Sequence, residues 1–229
     1  MYARIVLALL IFSTAATADV SVVLFPSNAQ ELYGKPALES AVSPREALDA
    51  VEMFPIGMGS ESELANAVLV SESTSALTNF GDYTSYAYPV EFENALSSQV
   101  VQVNGYLIKP PSGKKYILYP IITAFDQDKN FLGTLLPTSK SEISGNTIEN
   151  FFSIQAGTKY LLIHTDPRLV TFDMESGQNI DSDDVSAGIA SLGGVIGGIF
   201  HGVLFNSQVK RGEVGVAPVG VAEVMSVSP

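Results

Sequence analysis

"KKYILYPIITAFDQDKNFLGTLL", residues 114–136, is a pair of apolar runs separated by a short polar stretch, and its reading decides the fold. The runs are rich in β-branched and aromatic residues, which suit a pleated, half-buried surface. Between them, Asp126 to Asn130 supplies turn chemistry before the apolar residues resume at Phe131. Similar units lie on both sides. Downstream come TIENFFSI (147–154) and TKYLLIHT (158–165), bounded by Ser144-Gly145-Asn146 and Ala156-Gly157. Upstream, Tyr86, Tyr88, Val90 and Phe92 alternate with other residues, as do Val101 and Val103, with Tyr106-Leu107-Ile108 following Asn104-Gly105. Strands this short, punctuated this often, predict a mainly β chain built as a β-sandwich or jelly-roll-like domain with short helices.

Farther out the signals are more varied. Asp19 to Phe25 reads as an opening strand, and Ala67 to Val70 as a weak one within a Gly/Ser/Thr-rich region. Ser43-Pro44-Arg45-Glu46 has serine at N-cap, proline at N1 and glutamate at N3, a capping-box pattern. Ala47, Val51 and Phe54 continue it at helical spacing, so a helix is expected to about residue 54, where Pro55 stops it. Asp166-Pro167-Arg168 has the form of a second helix cap. The tail GEVGVAPVGVAEVMSV alternates valine with small residues and predicts one or two closing strands.

The first 18 residues read as a secretory signal: Arg4, then the apolar Ile5 to Phe12, then Ala16-Thr17-Ala18 before Asp19. The expected organisation is therefore a signal peptide over 1–18 and a sandwich domain with a short N-terminal helix over 19–172. An acidic linker follows over 173–184, then a C-terminal glycine-rich apolar segment over 185–205 and a tail over 206–229. Localisation is expected to be periplasmic, as for a protein exported in a Gram-negative cell, with membrane association as an added alternative.

Composition narrows the chemistry. The formal net charge is −12, and Lys114-Lys115 and Lys210-Arg211 are the only adjacent basic pairs, so no nucleic-acid partner is expected. The chain has no cysteine, which excludes disulfides, thiolate metal sites and thiol catalysis. Neither a phosphate-binding glycine loop nor a G-x-S-x-G elbow is present. His164 precedes Asp166 but lacks a nucleophile motif, and reads as a strand-end histidine with a hydrogen bond. Asp126-Gln127-Asp128-Lys129-Asn130 opens like a calcium loop, but Phe131 and Pro137 stand where glycine and a bidentate glutamate are needed, so a β-turn is expected. No catalytic, cofactor-binding or metal residue is predicted, and no cofactor. Tyr86 and Tyr88, near Tyr83, share one strand face and are the candidate sugar-facing aromatics, weighed against core packing.

Three stretches carry a resemblance to a known family: ALDAVEMFPI (47–56), the block running from YPVEFENALSSQVVQVNGYL through YILYPIITAFDQDKNFLGTLLP (88–137), and IENFFSIQAGTKYLLIHTDPRLV (148–170). With the closing GEVGVAPVG (212–220), the chain resembles the maltose operon periplasmic protein family (MalM) over about two thirds of its length. The resemblance implies a β-sandwich and a non-enzymatic periplasmic accessory or binding protein linked to maltodextrin uptake. An oligosaccharide or an envelope protein would be its partner, and no catalytic residues carry over.

The glycine-rich segment departs from that family. Residues 185–205 hold no charge, with acidic residues before and Lys210-Arg211 after. That length could span a bilayer as a helix, with the flanking charges in the permitted orientation. Ser186, Ala190, Gly194, Gly198 and Gly202 recur every four residues, a small-residue surface suited to close helix packing and self-association. The alternative function is therefore a structural envelope subunit that assembles, or associates with membrane, through a glycine-zipper helix over 185–205.

Overall fold

The computed structural model describes residues 40–56, 67–97, 99–109, 114–137, 142–173, 178–179 and 212–226. These residues form a mainly β structure with two mixed sheets and one α-helix. The opening strand expected at 19–25 lies outside them, as does all of 185–205, including Ser186, Ala190, Gly194, Gly198 and Gly202.

Helix α1 (Pro44–Ala50) starts as its capping box predicts. The Ser43 hydroxyl accepts from the Glu46 amide at 3.3 Å, and the Glu46 carboxylate accepts from the Ser43 amide at 2.8 Å. Its end differs from the expectation. Val51 is already extended, and Phe54–Ile56 forms strand β1 instead of a further helical turn. β1 pairs in parallel with β4 (Thr84–Phe92), and an outer strand tolerates Pro55 where a helix interior does not.

In the first sheet the order is β1-β4-β11-β7-β8, with β3 (Ala76–Asn79) also on β4. Here β7 is Ile121–Phe125, β8 Phe131–Leu135 and β11 Tyr160–His164. The second sheet runs β14-β6-β5-β10-β9, where β5 is Gln99–Ile108, β6 Lys115–Leu118, β9 Glu142–Ser144, β10 Thr147–Ile154 and β14 Val214–Ala217. Strand β15 (Gly220–Ser226) pairs with β5 on one edge and β2 (Ala67–Val70) on the other, so the C-terminal strand lies inside the sheet.

The stretch 114–125 thus divides between the two sheets. Lys115–Leu118 pairs with β5, and Ile121–Phe125 pairs with β11, so Tyr119-Pro120 is where the chain changes sheet. Between the sheets, Val90, Phe92, Ile122 and Ile163 from one side meet Val103, Phe152 and Val224 from the other in one buried cluster. A second cluster covers the outer face of the first sheet, where Ala47 and Leu48 of α1 pack with Ala87, Phe125 and Leu162. This is why β4 is buried along nearly its whole length and departs from a simple in/out pattern. The start of the acidic stretch is also structured: Phe172–Asp173 (β12) pairs with Gln178–Asn179 (β13).

Candidate functional site

Tyr86 and Tyr88 do share a face, and it is the inner one. They are 3% and 6% exposed and belong to the central core cluster, so neither presents a ring on which a sugar could stack. The period of two places residues on a common face but does not say which face is wet; here the opposing sheet claims it. The candidate sugar surface at Tyr86 and Tyr88 is therefore corrected to core.

Tyr83 lies elsewhere, in the turn between β3 and β4, and it belongs to the most chemically varied cluster among the described residues. The turn closes through the Phe80 amide, which donates to the Tyr83 carbonyl at 2.8 Å, and Gly81 takes a positive φ of 94° that favours glycine. Phe80 stacks on the His164 ring at 3.9 Å between centroids, and on Tyr83 at 5.2 Å. The guanidinium of Arg168 lies 5.1 Å from the Tyr83 ring centroid, a cation–π contact.

Arg168 is held there by Asp166. Its Nε donates to both carboxylate oxygens at 2.9 and 3.0 Å, and its Nη2 donates at 2.6 Å. The same carboxylate caps the 3-10 helix Pro167–Leu169 by accepting from the Arg168 amide at 2.9 Å. Asp166 is thus fully engaged with Arg168, while the Tyr83 hydroxyl is pushed up from its usual range by burial and by the Asp166 carboxylate.

His164 is completely buried. Its Nε2 lies 3.0 Å from the Thr123 hydroxyl, which is 3.1 Å from that of Thr134, while its Nδ1 has no hydrogen-bond partner. Burial pushes its pKa down to about 3, so the ring is neutral near pH 7. The expected strand-end histidine is present, with one nitrogen satisfied and the other not. No Ser-His-Asp chain is assembled: the hydroxyl on His164 comes from Thr123, and Asp166 is paired to Arg168.

The Asp126 to Asn130 segment is a turn between β7 and β8. The Asp126 carboxylate accepts from the amides of Asp128 and Asn130 and from the Asn130 side chain, and these bonds, led by the Asn130 side chain, hold its pKa below the usual value. Among the described residues there is no group of His, Asp and Glu arranged to hold a metal, and no helix long and apolar enough to cross a membrane.

On the outside, Phe131 is the most exposed large apolar side chain of the described residues, at 63%. It begins β8, which ends the first sheet and pairs only with β7 among the described strands. A bulge at Ala124/Phe125 kinks that pairing, and Gln155 donates to the Leu132 carbonyl at 2.9 Å. Both features blunt an open edge without covering it.

No protein family and no curated protein matches the sequence. Among solved structures, the chain is similar to the pre-peptidase C-terminal domain of a collagenase from Bacillus anthracis. The match has 14% identity and a TM-score of 0.26, over 49% of this chain and 82% of that one. So loose a superposition carries no inference, and the sandwich rests on its own strand pairing.

Proposed function

We propose that the protein is a non-enzymatic periplasmic accessory or binding protein of the kind its MalM resemblance implies, linked to maltodextrin uptake and acting through surface contacts. The signal-like N-terminus and the resemblance over residues 47–56, 88–137, 148–170 and 212–220 support the setting. With the Phe80–Tyr83 turn closed, His164 is sealed beneath Phe80 and out of reach of a bound substrate, which argues against this histidine as a general base. The observation that carries the contact mode is Phe131 on the β8 edge: an exposed ring on a strand that pairs only with β7 among the described strands suits a protein partner.

Calorimetric titration with maltodextrins of increasing length tests the carbohydrate link. Saturable heat with at least one length is the expected result, unchanged by Phe131→Ser if sugar and protein partner use different surfaces. Absence of heat at every length removes the maltodextrin link. The competing reading, a structural envelope subunit, is supported by the four-residue repeat of small residues from Ser186 to Gly202. Under it, Gly198→Leu abolishes an oligomer or membrane association that Phe131→Ser leaves intact.

A further inference from the structure

We propose that His164 is an acid-sensitive latch, whose neutral ring holds the Phe80–Tyr83 turn closed over the end of β11 and whose protonation releases it. The geometry supplies both halves of such a device. The imidazole is wholly buried, with Phe80 stacked on it at 3.9 Å and an interplanar angle of 21°. Its Nδ1 has no partner, so a second proton would add a donor and a charge with nothing to receive either. The segment stacked on it is a tight turn, held by the Phe80 amide to Tyr83 carbonyl bond and by the Gly81 amide on the Asn79 side chain. A turn is easier to displace than a strand inside a sheet.

Beyond the ring faces of Phe80 and Tyr83, the surroundings offer a new cation no counter-charge. From the turn, Tyr83 faces the ring at 6.1 Å between centroids, and beyond it stands a cation, Arg168, already paired with Asp166. Asp82, next to Tyr83, is exposed. From β7 and β8 the near groups are the uncharged hydroxyls of Thr123 and Thr134. On β4, Glu91 pairs with Lys159. On α1, the exposed Arg45, Glu46 and Asp49 are bonded to the Asp128 carbonyl, to Ser43 and to Lys129.

The sign follows from the two states. With the turn closed the imidazole titrates near 3, whereas an opened, hydrated ring titrates near 6.5. The open state therefore binds the proton more tightly. Opening grows as pH falls below the open value and levels off once pH passes the closed one. Between pH 7.5 and 4.5 the opening constant rises about a hundredfold.

Amide hydrogen exchange on the full chain reads this directly. The protection factors of Phe80 and Gly81 are expected to fall about a hundredfold between pH 7.5 and 4.5, while those of Val103 and Phe152 hold. His164→Gln, which keeps a group able to bond Thr123 but does not titrate, removes the fall. An unchanged fall in His164→Gln overturns the proposal. So does constant protection at Phe80 in the wild type, or parallel loss at Val103, which is global unfolding. Should His164→Gln not fold, the wild-type imidazole shift measured by NMR decides: the ring must titrate well below the ordinary 6.5 while Phe80 protection falls, and a ring that titrates near 6.5 in the folded protein overturns the latch.

Discussion

Gly105→Ala is expected to destabilise the protein by about 3 kcal/mol or more, the upper end of overpacking costs, and to lower its melting temperature by roughly 10 °C. A Cβ at this position would lie 2.2 Å from the Leu118 carbonyl oxygen and 3.0 Å from Ile148 Cγ2. The oxygen belongs to backbone, so no rotamer change relieves the clash. Leu118 is the last residue of β6, just before the chain leaves for the other sheet, and β6 pairs with β5 only two residues beyond Gly105. Room for a methyl group would have to come from moving β6 off β5, taking β14 with it. Gly145→Ala is the control: its φ is +60°, nothing lies within 4 Å of the added carbon, and the cost is the left-handed backbone alone, about 1 kcal/mol. Thermal unfolding followed by circular dichroism ranks the two, and a Gly105→Ala loss no greater than that of Gly145→Ala would contradict the packing described.

Removal of residues 212–229 is expected to abolish the folded state. β15 is paired on both edges, Gly220 through Glu223 with β2 and Ala222 through Ser226 with β5, so its loss opens a gap within the sheet. The same truncation removes Val214, Val216, Val219, Val221 and Val224, all buried. At about 1.5–3 kcal/mol for each fully buried aliphatic side chain, the loss is on the order of 10 kcal/mol. That matches the whole stability of a typical domain, about 5–15 kcal/mol. Val224→Asp poses the same question with one residue, by placing an unpaired carboxylate between the sheets. Loss of a cooperative thermal transition in both is the expected result. A truncated chain that still melts cooperatively would mean that the tail is dispensable.

The strands were easiest to read where one face is wet. β10 alternates between buried and less buried positions along its length, as its sequence TIENFFSI suggests. Where both faces are covered the alternation disappears, and β4 lies between the central core and the α1 cluster for that reason. A continuous apolar run has the same appearance whether it stays in one sheet or crosses to another, which is why the break at Tyr119-Pro120 was not visible in KKYILYPIITAF. The helix was legible at its start, where a local motif acts, and not at its end, where pairing of Phe54–Ile56 with a distant strand overrides helical spacing. Within the candidate cluster, His164 and Asp166 stand out in the sequence as a pair. The partners that define them, Phe80 above the ring and Arg168 on both Asp166 and Tyr83, do not, because the stack joins residues 84 positions apart. The inner placement of β15 had no local signal at all.

That placement bears on residues 185–205. Strand β13 precedes residues 180–211, and β14 and β15 follow them; β14 pairs with β6, and β15 lies between β2 and β5. A single membrane crossing anywhere between residues 180 and 211 would put β14 and β15 on the opposite side from the strands they pair with. The pairing thus places β14 and β15 on the same side of any membrane as β2, β5 and β6. The chain has no cysteine, so single cysteines at Ser153 and at Glu213, both exposed positions, can be labelled one at a time. A membrane-impermeant maleimide applied to spheroplasts, before and after lysis, should label the two positions to the same extent in each condition. Labelling of one position in intact spheroplasts and of the other only after lysis would contradict a sandwich completed by its own C-terminal strands.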